Sequence, residues 1–332
     1  MSEDLRHGGA LDRVAIRFPA APLPWIDLST GINPWSWPVD RVDPDSLHRL
    51  PTHGDMDRCR TAMAEAFPAP ASALTLVPGT EVAIRLLPQI LDARRVAVLS
   101  PSYGDHAETW NAAGAELVAT ADPLDHAESA DVVVLCNPNN PDGRCFDADV
   151  LADARERLAR RGGWLIVDEA YADLDPVRSL APLAGSPGLV ILRSTGKFFG
   201  LPGLRLGAVL GPPTLAAALE RLLGVWRISG PALAIGTRAY ADIDWQQSMR
   251  ERLAAARARL DALLEAGGGR VTGGTDLFRY VEVHDAHATW HKLCEHGIYT
   301  RRFDWTRSHL RVGLPGTPEA EARLASALSL QH

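Results

Sequence analysis

Arg193-Ser-Thr-Gly-Lys-Phe-Phe-Gly-Leu-Pro-Gly-Leu-Arg-Leu-Gly207 sets one lysine in a small-residue, turn-forming and otherwise apolar setting. The run Leu189-Val-Ile-Leu192 before it and Leu206-Gly-Ala-Val-Leu-Gly211 after it read as strands, with Gly196, Gly200 and Gly203 marking the turn between them. A lysine held between two buried strands is partly removed from water, and an amine so placed suits Schiff-base chemistry.

Working outward toward the N-terminus, short β-branched runs alternate with helical patterns. Leu74-Thr-Leu-Val77 leads into Pro78-Gly-Thr-Glu81 and a helix to about Leu91. Val96-Ala-Val-Leu99 is followed by Ser100-Pro-Ser-Tyr-Gly104 and a helix to about Ala113. Glu116-Leu-Val118, Asp131-Val-Val-Val-Leu-Cys136 and Trp164-Leu-Ile-Val167 follow. This alternation predicts an α/β fold with a mostly parallel, doubly covered sheet, whose ligands sit beyond the carboxyl ends of the strands. Those ends carry Tyr103, Asn137-Pro-Asn-Asn-Pro141, Asp168-Glu-Ala-Tyr171, Ser194 and Lys197. The Gly79-Thr80 turn into a helix start offers backbone N–H groups beside a positive dipole end, which suits a phosphate.

Composition narrows the function classes. No apolar run approaches the roughly eighteen residues needed to span a bilayer, and Met1-Ser-Glu-Asp begins no basic-then-apolar leader, so a soluble cytoplasmic protein is expected. With a net charge of −7 and no basic block beyond pairs such as Arg94-Arg95, general nucleic-acid binding is disfavoured. Cys59, Cys136, Cys145 and Cys294 show no CxxC spacing, which argues against a zinc ribbon or a disulfide framework.

Three regions are expected: an arm over residues 1–40, a large α/β domain over 41–228 and a small α+β domain over 229–332. The arm, rich in Pro, Gly and Trp, reads as extended rather than helical. Trp25, Trp35 and Trp37 would be costly to leave in water, so it should pack on something. After Ser229-Gly-Pro231 the pattern turns helical through about Ala266. Phe278-Arg-Tyr-Val-Glu-Val-His284, a helix ending at Gly297, Ile298-Tyr-Thr-Arg-Arg-Phe303 and Leu310-Arg-Val-Gly-Leu314 then suggest a small sheet backed by helices. His284, His287, His291 and His296 read as an ordinary polar surface rather than a metal site.

Taken together, these motifs resemble the fold-type I pyridoxal-phosphate enzymes, the group that includes aspartate and histidinol-phosphate aminotransferases. The resemblance runs over nearly the whole chain through Gly79-Thr80-Glu81, Tyr103, Asn140-Pro141, Asp168 with Tyr171, Ser194-x-x-Lys197 and Arg205. It implies pyridoxal 5'-phosphate as cofactor and a large domain with a seven-stranded sheet. Lys197 would carry the cofactor, Asp168 face its ring nitrogen, and Tyr171 and Asn140 its phenolic oxygen. Tyr103 would stack on the ring, and Gly79, Thr80, Glu81, Ser194 and Arg205 would complete the cofactor site.

Within that group the chain is most similar to the threonine-phosphate decarboxylases of cobalamin biosynthesis, on His7-Gly-Gly9, Asp27-Leu-Ser-Thr-Gly-Ile-Asn-Pro34 and Pro202-Gly-Leu-Arg-Leu-Gly207. That similarity implies a phosphorylated amino-acid substrate held by His7, Gly8, Gly31, Asn140, Arg301 and Arg311, with Arg302 adjacent to Arg301. A homodimer whose arm reaches the neighbouring subunit is also implied. Asp142 and Gly196 depart from the family's usual residues. The alternatives are a histidinol-phosphate-type aminotransferase and a non-catalytic regulator on the same fold, the latter disfavoured by the presence of Lys197, Asp168 and Arg205.

Overall fold

Buried apolar runs decide the sheet order in the computed structural model, which describes residues 8–39 and 44–329, so that His7 lies outside the described residues. In chain order the strands among these are β1 (Ile26–Leu28), β2 (Leu74–Val77), β3 (Arg95–Leu99), β4 (Glu116–Thr120), β5 (Val132–Cys136) and β6 (Trp164–Asp168). They continue with β7 (Leu189–Ser194), β8 (Gly207–Leu210), β9 (Arg270–Thr275), β10 (Phe278–Glu282), β11 (Ile298–Arg302) and β12 (His309–Gly313). The chain divides into two compact units, residues 37–140 with 144–246 and residues 1–36 with 141–143 and 247–332.

The larger unit holds a seven-stranded sheet in the order β2-β8-β7-β6-β5-β3-β4. Only β8 runs against its neighbours. Every residue of β2, β5 and β8 is buried, as the near-continuous Val, Leu and Ala runs of strands covered on both faces require. Strand β4 closes one edge and is correspondingly exposed in part. Ile84 and Leu87 of the helix Thr80–Ile90, Trp110 of Gly104–Ala112 and Leu215 and Leu219 of Pro213–Leu223 pack on Val96, Val132, Ile166 and Val190 of the sheet. The carboxyl ends of the parallel strands are thereby fixed against a rigid layer.

The smaller unit holds a five-stranded sheet, β1-β11-β12-β10-β9, in which β1 joins β11 in parallel and the remaining pairs are antiparallel. The arm therefore contributes an edge strand, as its tryptophans required of it. Trp35 Nε1 donates to the Gly316 carbonyl at 2.9 Å, and Arg252 lies 3.9 Å above the same ring.

Two expectations are corrected. The arm is not wholly extended: Leu11–Arg17 is a helix that buries Val14, with Asp12 in its first turn and Arg17 in its last complementing the helix dipole. The division between units falls after Gln246, inside the helix Ile243–Ala266, and not near Ser229, and residues 1–36 group with the C-terminal part. The reason lies in Gly230–Ala241, where Tyr240 packs against Phe67 at 5.1 Å and Phe199 at 4.5 Å and so belongs to the larger unit. No helix among the described residues is long and apolar enough to cross a membrane.

Candidate functional site

In the larger unit the turn at Gly79-Thr80 meets Ser194 and Arg205 by close backbone approach. Gly79 caps the helix Thr80–Ile90 with a φ of +85°, and a Cβ there would stand 2.5 Å from Arg205 Nη2. Glycine is favoured there by the positive φ, and the Arg205 guanidinium lies over it. Gly207 is the cross-strand partner of Ser194, and a Cβ on it would meet the Thr80 nitrogen at 3.1 Å. Gly79, Thr80, Ser194 and Arg205 are thereby brought into one neighbourhood. Arg205 itself takes the left-handed conformation, φ 52°, with Nη1 donating to the Pro202 carbonyl. Strain of that kind in a non-glycine residue persists where surrounding structure imposes it. Gly196 donates to Ser194 Oγ at 3.2 Å and sits close to Pro202, which leaves little room for a side chain.

Lys197 is half-buried, with Nζ 5.9 Å from the centre of the buried Tyr171 ring. Asp168 ends β6 with its carboxylate buried. Its Oδ1 accepts from Ala170 N at 3.1 Å, and its Oδ2 lies 2.9 Å from His106 Nε2. Sequence reasoning missed His106. The signal was the three-residue step from Tyr103, which puts both on one face of the helix start. Burial, the largest single influence, works against a charged imidazole there, but the hydrogen bonds and charges of Asp168 and Cys136 together outweigh it and raise His106 to about 10. Cys136 completes a buried group in which one ligand-type atom of each of His106, Cys136 and Asp168 lies within 4.8 Å of the others. The surface histidines do other things: His291 meets Phe18 edge-on at 4.9 Å and lies 3.5 Å from Glu295.

The loop after β5 is braced by its own amides. Asn137 exchanges bonds with the backbone of Phe146, donating at 3.2 Å and accepting at 2.8 Å, and Asn139 donates to the Pro101 carbonyl and accepts from Ser102 Oγ. Asn140 follows in the same loop and is half-buried. The Glu81 side chain accepts from Arg85 at 2.7 Å and from the Tyr103 hydroxyl at 3.1 Å.

In the smaller unit two of the expected substrate residues, Gly8 and Arg311, meet at Ser29. Its carbonyl accepts from Arg311 Nη2 at 2.5 Å, a Cβ on Gly8 would stand 2.6 Å from the same oxygen, and its hydroxyl accepts from Gly9 N at 2.8 Å and donates to Asp27 at 2.6 Å. Gly31 is buried nearby in the chain. Arg301 and Arg311 are direct cross-strand partners, so both point to one face of the sheet. Arg302, one residue on, points to the other face and lies over Trp290 at 5.4 Å. Arg311 lies over Phe278 at 5.2 Å and Arg301 over Phe303 at 5.5 Å. Asp142 accepts at its carbonyl from Gly274 N at 2.8 Å, so this departure from the usual sequence is anchored through its backbone.

The donor sets fit the cofactor that the resemblance implies: a guanidinium, a hydroxyl and helix-start amides for a phosphate, a buried carboxylate for a ring nitrogen, and an amine beside a phenol. Comparison with known proteins places these observations in context. The aminotransferase class I and II family matches residues 40–328. A threonine-phosphate decarboxylase of Pseudomonas aeruginosa is 41% identical over 98% of this chain and 97% of its own. Another, from a Sinorhizobium species, is 42% identical over 99% of both chains. The solved histidinol-phosphate aminotransferase of Sinorhizobium meliloti, in complex with pyridoxal-5'-phosphate, superposes with a TM-score of 0.83 at 20% identity, over 96% of this chain and 93% of that one.

Proposed function

This chain belongs to the aminotransferase class I and II family, and on that premise we propose that it removes carbon dioxide from L-threonine O-3-phosphate, using pyridoxal 5'-phosphate. The product is (R)-1-amino-2-propanol O-2-phosphate, for cobalamin biosynthesis. The observation that carries the reading is the placing of Arg301 and Arg311 as cross-strand partners on one sheet face. Two guanidiniums suit a substrate with two anionic groups, a carboxylate and a phosphate, and each fork can take its oxygens in pairs. The two relatives that span nearly the whole chain bear the name of this activity.

Pyridoxal phosphate held in the larger unit would supply an electron-poor ring as a sink for the electrons of a bond at the substrate Cα. The chain's own residues prepare and complete that step. Asp168, backed by His106, keeps negative charge where a protonated ring nitrogen needs it. Arg311 and Arg301 orient the substrate so that the carboxylate is the group released, and orientation at Cα selects decarboxylation over proton removal. Lys197 Nζ returns a proton to Cα once carbon dioxide has left. Tyr171 and Asn140 would hold the phenolic oxygen of the ring, and Gly79, Thr80, Ser194 and Arg205 its phosphate. His7, Gly8 and Gly31 extend the grip on the substrate from the arm. We place the enzyme in the cytoplasm as a homodimer whose arm reaches its neighbour, and an active monomer in sedimentation would count against that assembly.

Incubation with threonine phosphate alone should release carbon dioxide. With histidinol phosphate and 2-oxoglutarate it should yield no glutamate. Glutamate without carbon dioxide would replace this reading by the aminotransferase one, which the TM-score of 0.83 to a histidinol-phosphate aminotransferase keeps in view as a matter of fold.

A further inference from the structure

Two carboxylates stand beside an anion cradle, where their sign is wrong for binding a phosphate, and the structure shows what they hold instead. The Tyr103 hydroxyl lies 2.8 Å from Asp105 Oδ2 and 3.1 Å from Glu81 Oε2. A phenol has one proton and donates to one acceptor at a time, so two carboxylates around it need a cation to sit together. Arg85 provides it, bonded to Glu81 at 2.7 Å and 3.7 Å from Asp105. Asp105 is buried, Glu81 is half-buried, and the two lie on different helices, so the cluster ties the start of Thr80–Ile90 to the start of Gly104–Ala112. Burial first, and then the Asp105 charge, push the Tyr103 phenol above its ordinary range, so it remains a donor at any working pH. The ring itself packs on the sheet-facing core and stands edge-on to His106, 5.9 Å between centres at 84°. Its remaining freedom is tilt, and the hydroxyl is the handle by which tilt is fixed.

We propose that Glu81 and Asp105 are positioning residues: clamped by Arg85, they hold the Tyr103 hydroxyl and so set the angle at which its ring meets the cofactor. This rests on the pyridoxal-phosphate reading of the site, and it replaces direct cofactor contact as the work of the Glu81 side chain. It also explains why a phenol, and not merely an aromatic face, occupies position 103.

The test uses the cofactor-loaded protein and two readouts independent of turnover, the visible circular dichroism of the bound cofactor and its dissociation constant. Tyr103→Phe keeps the ring and should weaken cofactor binding by about tenfold, with a reduced visible signal. Glu81→Ala should do the same in the wild-type background and almost nothing further in Tyr103→Phe, whereas Glu81→Gln, which retains an acceptor, should recover most of the signal. A Tyr103→Phe protein matching wild type in both readouts would overturn the proposal, as would Glu81→Ala and Tyr103→Phe effects that simply add. Wild-type protein that takes up no cofactor would sink the pyridoxal-phosphate reading itself, a different outcome from a loaded protein indifferent to the phenol.

Discussion

The two units hold their functional charges by different means. In the larger unit buried charges are held by opposite partners at hydrogen-bond distance: Asp168 has His106, and the fully buried Arg193 has Glu169 at 3.0 Å and Asp173 besides. In the smaller unit the three arginines of β11 and β12 lie across aromatic rings, Arg311 on Phe278, Arg301 on Phe303 and Arg302 on Trp290. A paired charge is neutralised and locked, so it serves to fix geometry. A guanidinium stacked on a ring keeps its planar edge for hydrogen bonds because the ring takes the cation's face, and Arg311 uses part of that edge on the Ser29 carbonyl. The first arrangement suits a resident group that stays, the second a substrate that comes and goes.

The sharpest way to break this comparison is to remove the one amine of the resident site. Lys197→Ala should cut turnover by at least about 10^4-fold while non-covalent cofactor binding persists, read as a cofactor that dialysis removes from the variant and not from wild type. Residual activity within tenfold of wild type would take Lys197 out of its role. Next in size is the buried ion cluster. Arg193→Gln leaves Glu169 and Asp173 buried without their cation, which should cost about 3–5 kcal/mol of unfolding free energy in a denaturant titration. Burial already drives the Glu169 carboxyl upward against the pull of Arg193, so a stable variant would mean that its proton makes good the loss.

The smaller unit should respond in activity and hardly in stability. Arg311→Lys keeps the charge and loses the fork, and kcat/KM should fall by about a hundredfold. Arg302→Lys, on the opposite sheet face, should remain within about threefold of wild type. Equal losses at the two positions would mean that the face assignment carries no functional weight.

How much of this was legible beforehand follows from what each residue depends on. The strands of the large sheet stood out because strands covered on both faces must be continuously apolar, and Val132-Val-Val-Leu-Cys136 is nothing else. Strand β9 did not, since Arg-Val-Thr-Gly-Gly-Thr has no apolar pattern and exists by pairing with β10 through a register shift. Arg301 could not be separated from Arg302 because Ile298, Tyr299 and Thr300 of the same strand are all buried, so alternation along it was masked. Only the cross-strand register decides the face. Glu81 was assigned to the cofactor on its place in the motif, whereas its partners Arg85, four residues on, and Tyr103, twenty-two residues away, are set by helix spacing and by tertiary packing. The seven-residue arm helix was hidden by the Pro and Gly content around it.

The smallest expected effect sharpens the comparison from outside the site, where the same chemistry is solvated. Thr52 caps the helix His53–Ala66 by accepting from Asp55 N at 3.1 Å, while Asp55 accepts from Thr52 N at 2.9 Å and from the half-exposed Arg49. The Arg49 hydrogen bond, and then that from Thr52, hold the Asp55 carboxyl well below its ordinary value of 3.8. Because the folded value is depressed, its contribution is present above about pH 3.8 and is lost as pH falls through the folded value, the acid-side sign. Thr52→Ala should therefore cost about 1 kcal/mol near neutral pH and less in acid. Arg49→Ala should cost less still, because an exposed pair is screened by water and salt, and the loss should shrink at high ionic strength. If removing Arg49 cost as much as removing Arg193, burial would not be what separates a locking ion pair from an ornamental one, and the contrast between the two units would have to rest on geometry alone.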